Sequence, residues 1–239
     1  MLRTDFPLAP LQERILDYLH DNSRAKLFAT MGARKTQTVL CHVETHRRFE
    51  RVLIVCLKDN IKTWADEMDK WLPFSEYTMV RGTAARKRKL VDEFLASDLK
   101  YLIMGYDTAK PSTLYKDGKP TGAKNPKTLN FLKKRANQFD LVVFDESCEI
   151  SNPKNARFKA LYKIARDIPY RIVMDGDPTA EGVDKLFGQF MMCDDGATFG
   201  NRYWDFKEEY YEDVGYAFPD WQLRPGATER MGRLLKKKA

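Results

Sequence analysis

Apolar positions recur along this chain with two rhythms. Leu11, Ile15, Leu16 and Leu19 fall at helical intervals, with Pro7 and Pro10 at the entry. Val39, Leu40, Val43 and Phe49 repeat that spacing after Lys35, and Ile61, Trp64, Met68 and Trp71 mark a helix stopped by Pro73. Further helices are expected over 84–95, with a basic face, and over 129–136 and 156–164. Between them lie short apolar runs at 26–30, 51–56, 77–80, 101–104, 141–144 and 171–174. The run at 51–56 is β-branched and nearly continuous, as in a strand buried on both faces. Residues 112–127, rich in Lys, Gly, Pro and Thr, read as an exposed loop. Strand and helix alternate, which predicts an α/β domain with a mostly parallel sheet and helices on both faces. Ligands on such sheets bind at the carboxyl ends of the strands. Residues 32–36, 145–146 and 175–177 all fall there.

Two of those strand ends carry suggestive chemistry. Leu27-Phe28-Ala29-Thr30-Met31-Gly32-Ala33-Arg34-Lys35-Thr36 is a strand followed by Lys-Thr opening a helix. Leu141-Val142-Val143-Phe144-Asp145-Glu146-Ser147-Cys148 is a strand ending in adjacent carboxylates. An ammonium and helix amides suit phosphate, a hydroxyl and one acid suit a metal, and a second acid suits a water nucleophile. The phosphate loop departs from GxxxxGK[ST]: Arg34 stands where the second glycine belongs and Ala29 where the first does.

Bulk properties narrow the field. The 239 residues suit one large domain, or one domain with an appendage. A net charge of +7 suits a polyanion partner. There is no apolar run of the roughly 18 residues a membrane span needs, and no signal-like start. The four cysteines, at 41, 56, 148 and 193, lack zinc spacing, so reduced thiols in a cytosolic protein are expected. Cys41 and Cys56 are expected to be buried small hydrophobes. His42 and His46 lie four apart, but Glu44 is misplaced for HExxH and no third ligand stands out, so an exposed helix face is expected.

The motifs, taken in order, resemble those of Swi/Snf-type ATPases, a branch of the superfamily two helicases. Met31-Gly32-Ala33-Arg34-Lys35-Thr36 resembles the family's Met-Gly-x-Gly-Lys-Thr, and Leu8-Ala9-Pro10-Leu11-Gln12 its Leu-Arg-Pro-Tyr-Gln entry. Residues 52–58, continuing to Trp64 and Trp71-Leu72-Pro73, resemble motif Ia, and residues 102–107 motif Ib. Residues 145–153 resemble the DEAH-type box and its Asn-Pro extension, and Met174-Asp175-Gly176-Asp177-Pro178 stands where the family has Leu-Thr-Gly-Thr-Pro. The resemblance implies a RecA-like P-loop lobe that uses ATP and Mg²⁺ and tracks DNA. It implies that Gln12 reads adenine, that Met31, Gly32, Ala33, Arg34, Lys35 and Thr36 cradle the nucleotide, and that Thr36 and Asp145 hold Mg²⁺. It further implies that Lys35 and Glu146 serve catalysis, and that Lys58, Arg81 and Tyr106 meet the DNA backbone. The basic run 86–89 either joins them or is a solvated helix face.

The departures leave a rival open, a degenerate lobe kept as a DNA-binding or partner-binding module. Arg34 either reaches a phosphate or obstructs the loop. Asp175 and Asp177 replace threonines, and Cys148 replaces a histidine that couples nucleotide to motif III. A stand-alone P-loop kinase would need a lid and an acceptor motif, and neither stands out. Residues 1–198 are expected to form the lobe. Residues 199–239 are expected to form an aromatic and basic extension, its aromatics mostly core, leading toward a second RecA-like lobe supplied in cis or in trans. The compact layout also resembles bacteriophage members, for which the compartment would be the bacterial cytoplasm.

Overall fold

The computed structural model describes residues 8–46, 48–116, 119–180, 182–216 and 218–236; Pro7, Lys237 and Lys238 lie outside them. The described elements begin with α1 (Pro10–Asp21), β1 (Arg24–Phe28), α2 (Lys35–Thr45), β2 (Val52–Cys56), α3 (Asn60–Trp71), β3 (Tyr77–Val80), α4 (Ala84–Leu95) and β4 (Tyr101–Gly105). A hairpin follows, β5 (Ser112–Lys116) and β6 (Lys119–Asn125), and then α5 (Lys127–Lys133), β7 (Leu141–Asp145), α6 (Ala156–Ala165) and β8 (Tyr170–Asp175). The last elements are α7 (Lys185–Asp194), α8 (Tyr203–Tyr210), β9 (Tyr211–Asp213), β10 (Trp221–Leu223) and α9 (Ala227–Lys236).

Six strands form one parallel sheet in the order β1-β8-β7-β2-β4-β3. Strands β2, β4 and β7 are buried at every position. Their unbroken apolar runs follow from helices covering both faces. On one face, alternate strand residues such as Ile54, Ile103 and Val143 pack with Leu40, Trp64 and Met68. On the other, Val55, Met104 and Phe144 pack with Phe94, Leu161 and Ile164. This is the expected α/β architecture.

Two expectations need correction. Residues 112–125 are a β-hairpin rather than a loop, though its register shifts between Thr113 and Tyr115. Backbone pairing forms it without the apolar alternation that would have announced it. His42 is 2% exposed rather than on a solvent face, because α1 packs across α2 and covers it. Beyond residue 198, Phe199, Phe206, Tyr210, Tyr211 and Met231 share a core cluster with Leu186, Phe187 and Phe190 of α7. The core expectation holds for these, whereas Trp204, Tyr216 and Phe218 are exposed.

Candidate functional site

Register brings three strand ends together. Phe28 at the end of β1 pairs with Asp175 at the end of β8, and Met174 pairs with Asp145 at the end of β7. The segments leaving them border a cleft of about 480 Å³ whose lining includes Met31, Gly32, Arg34, Lys35, Thr36, Asp145 and Glu146. Six residues expected to hold nucleotide or metal therefore meet in one place, with Glu146. Ala33 lies in the same turn, its amide donating to the Thr30 carbonyl.

The loop between β1 and α2 is shaped by its backbone. Gly32 has φ +83 and Arg34 has φ 53, ψ 40 immediately before α2. The left-handed conformation at residue 34 explains why the motif asks for glycine there. For Arg34 it costs about 1–2 kcal/mol, against roughly 0.5–1 kcal/mol of unfolded-state entropy that glycine would add. Arg34→Gly is therefore expected to raise stability by about 0.5–1 kcal/mol, as urea denaturation would measure. A loss instead would mean that the guanidinium makes a stabilising contact. The Lys35 ammonium, one helical residue on, donates to the carbonyls of Ala29 at 2.7 Å and Thr30 at 3.4 Å.

The acid pair is held from behind. Trp64 Nε1, from α3, donates to Asp145 Oδ2 at 2.8 Å, and the Glu146 amide donates to Oδ1 at 3.1 Å. Burial pushes the Asp145 carboxyl above the usual range, against the pull of the Trp64 and Glu146 hydrogen bonds and of Lys35. Burial, with Asp145 and Asp175 close by, also raises Glu146. Carboxylates crowded beside Lys35 suit a divalent cation, which would relieve their repulsion. Glu146 has φ 55, so the backbone turns sharply as it leaves β7.

Asp175 does not line the cleft. It is 3% exposed, and its oxygens accept from the amides of Cys148 at 2.7 Å and Asp177 at 3.1 Å. Its carboxylate thus ties the turn after β7 to the turn after β8. Ligand atoms of Glu146, Cys148 and Asp175 lie within 4.8 Å of one another. Asp177 is exposed and caps the turn at Thr179. Gln12 is buried at the start of α1. Its Oε1 accepts from the Ala9 amide and its Nε2 donates to Gln37, which does line the cleft.

A second, larger cleft of about 760 Å³ opens at the ends of β2, β3 and β4. Lys58, Lys62, Arg81, Lys87 and Arg157 line it against Asp59 and Asp107. Burial, then Lys58, pulls the Lys87 ammonium down, while Asp107 pulls it up. Arg157 pairs with Glu149 and reaches Asp107 at 3.2 Å. Lys58 and Arg81 are exposed on this cleft. Tyr106 also lines this cleft, from a mostly buried position. It is 2% exposed, and its hydroxyl donates to the Asp145 carbonyl at 2.7 Å. Tyr106 thus joins this cleft to the acid pair. Of the basic run 86–89 only Lys87 is in this lining, and Lys62 and Arg157 were not anticipated beside it because three separate helices supply the set. The Trp64 bond was missed because an indole N–H spaced as a core residue leaves no mark in the pattern.

Among the described residues, no helix is long and apolar enough to cross a membrane. All four cysteines are without a disulfide, and Cys41 and Cys56 are buried as expected.

The order of these parts has counterparts in known proteins. The chain is 29% identical over 161 residues to the transcriptional regulator ATRX homolog of Caenorhabditis elegans, an alignment covering 59% of this chain and 12% of that protein. Its fold is similar to the Sulfolobus solfataricus SWI2/SNF2 ATPase core, with TM-score 0.65, 19% identity, and coverage of 96% of this chain and 42% of that one. It is also similar to that organism's SWI2/SNF2 ATPase core in complex with dsDNA, with TM-score 0.63, 19% identity, and coverage of 86% and 39%. The chain thus spans about two-fifths of each solved core and an eighth of the worm protein. The SNF2-related domain matches residues 15–237, from α1 to the end of α9. With a RecA-like parallel sheet under a match of nearly full length, this chain belongs to the SNF2-related domain family.

Proposed function

We propose that this chain is the ATP-binding lobe of a DNA-dependent motor. The observation that carries the reading is the single cleft shared by Lys35, Thr36, Asp145 and Glu146. Lys35 exchanges its two carbonyl partners for the β and γ phosphates. Thr36 and Asp145 hold Mg²⁺, which suits oxygen ligands. Glu146 orients the attacking water, and its raised proton affinity suits a general base. Gln12 reads adenine beside Gln37. Efficient hydrolysis needs arginines from a second RecA-like lobe, in cis or in trans. A charge-assisted hydrogen bond is worth about 1.5–3 kcal/mol, so Lys35→Ala is expected to weaken Mg-ATP binding about 10- to 150-fold by calorimetry. Equal affinity in the variant would remove the nucleotide reading.

The DNA reading rests on the five cations lining the larger cleft. Backbone contacts there give binding that tolerates any sequence. With three or four phosphates engaged, log K against log salt falls with a slope of roughly −3 on duplex DNA, and Lys58→Ala lowers its magnitude by about one. Fluorescence anisotropy across several salt concentrations measures both. A flat response would assign the cleft to another partner. The tie from Tyr106 to Asp145 favours the motor over a passive module, because it links the two clefts directly.

A further inference from the structure

The chain has three histidines, and all three meet at one place. His20 lies in the last turn of α1, His42 in the last turn of α2, and His46 just past its end. The ring centroids are 5.0 Å apart for His20 and His42, 5.3 Å for His42 and His46, and 5.9 Å for His20 and His46. A tetrahedral ion with Zn–N bonds of about 2.0–2.1 Å spaces its imidazole centroids by roughly 5.2 Å, each centre lying about 1.1 Å beyond its nitrogen. The observed triangle is close to that size.

The rings are not yet turned toward one point: the trio is not among the groups whose ligand atoms lie within 4.8 Å of one another. Loading the site would require rotation about χ2, which exchanges the His20–Thr45 hydrogen bond and the His46–Phe49 stack for coordination. The χ2 axis runs close to the ring centre, so rotation moves the nitrogens and leaves the centroids nearly in place. Histidine χ2 wells are also broad.

The surroundings suit an ion. His42 is 2% exposed, and Nδ1 of both His42 and His46 is buried without a hydrogen-bond partner among the described residues. A buried ring nitrogen left unpaired is costly, and coordination would satisfy it. Phe49 stacks on His46 at 4.4 Å and closes one side. His20 is exposed and leaves the other side open, its Nε2 bonded to Thr45 Oγ1 at 3.2 Å.

We propose that His20, His42 and His46 form a site for a borderline divalent transition ion such as Zn²⁺, which cross-links α1 to α2. Three imidazoles and a solvent position suit Zn²⁺, Ni²⁺ or Cu²⁺ and reject Mg²⁺, so the site is distinct from any metal carried by nucleotide. The ion joins the two helices at the end opposite the Gln12–Gln37 hydrogen bond. Helix α2 begins at the phosphate loop, so loading the site braces the helix that presents Lys35 and Thr36.

Calorimetric titration of the whole chain with Zn²⁺, in excess Mg²⁺, tests this. One saturable equivalent is expected, together with a higher thermal midpoint. Loss of a supporting outer partner already costs metal sites about 10–100-fold, so His20→Gln and His46→Gln should each weaken binding by at least about tenfold. His20 is exposed, so its replacement leaves the fold intact. Cys148→Ser is the control for the Glu146, Cys148 and Asp175 group and should leave the histidine equivalent unchanged. With Co²⁺, d–d bands without thiolate charge transfer are expected. No saturable binding would overturn the proposal. So would a Zn²⁺ titration unchanged by both histidine substitutions, or one abolished by Cys148→Ser.

Discussion

Gly188→Ala is expected to cost about 3 kcal/mol, lowering the thermal midpoint by about 6–12 °C. Gly188 lies in the middle of α7 where the helix crosses the turn after β7. A Cβ there would run into the Ser151 carbonyl, well inside van der Waals contact, and would sit 2.9 Å from the Ile150 carbonyl. Both obstacles are backbone, so no rotamer change makes room. The next residue, Gln189, accepts from the Ser147 hydroxyl at 2.6 Å and donates to the Pro178 carbonyl at 2.8 Å. Displacing α7 would therefore pull on the turns after β7 and β8, which frame the acid pair. Urea denaturation measures the loss, and nucleotide titration of the folded fraction should show weakened binding. A loss below about 1 kcal/mol would mean that α7 can slide off this turn cheaply.

Asp195→Asn is expected to cost about 2–4 kcal/mol, because it strands a buried cation. Arg171 on β8 is 0% exposed. Its Nη1 donates to Asp195 Oδ1 at 2.8 Å and to the Met192 carbonyl at 3.1 Å. Removing the partner of a fully buried ion pair costs about 3–5 kcal/mol, and the half-open position of Asp195 softens that. Asparagine also tolerates the left-handed backbone at this position, φ 57, so the substitution removes the charge alone, which the half-buried Arg24 also meets at 3.1 Å. The pair also makes the protein acid-sensitive. Burial pushes the Asp195 carboxyl up, but the Arg171 hydrogen bond and charge hold it below the usual carboxylate range. A folded-state pKa below the unfolded one means that the stabilisation is complete at neutral pH. It is lost as pH falls below about 4, through the folded value. Denaturation of both proteins at neutral pH and at low pH should show the gap closing with acid. A gap that stays constant would locate the stabilisation in shape rather than charge.

Much of the fold was legible in the chain. The apolar runs that became β2, β4 and β7 are continuous because both faces are buried, and burial on both faces follows from strands alternating with helices. The placement of Lys35-Thr36 and Asp145-Glu146 beyond strand ends was legible for a similar reason, since one pair opens the helix after β1 and the other stands at the end of β7. Residues 112–125 were misread because a polar hairpin held by backbone hydrogen bonds has no side-chain rhythm.

Tertiary structure alone decided how the local pieces meet. The sheet order sets β1, β8 and β7 side by side, and so places Asp175 behind the acid pair rather than in the cleft. The bond from Trp64 to Asp145 spans 81 residues, and that from Tyr106 spans 39. Arg34 shows its strain only in the folded backbone, at φ 53. The spacing of His42 and His46 suggested a solvent face, until α1 laid His20 against them. Periodicity and motif report what a residue does with its neighbours in sequence. Burial, pairing and proton affinity depend on which distant element arrives opposite, and that is settled only when the whole chain packs.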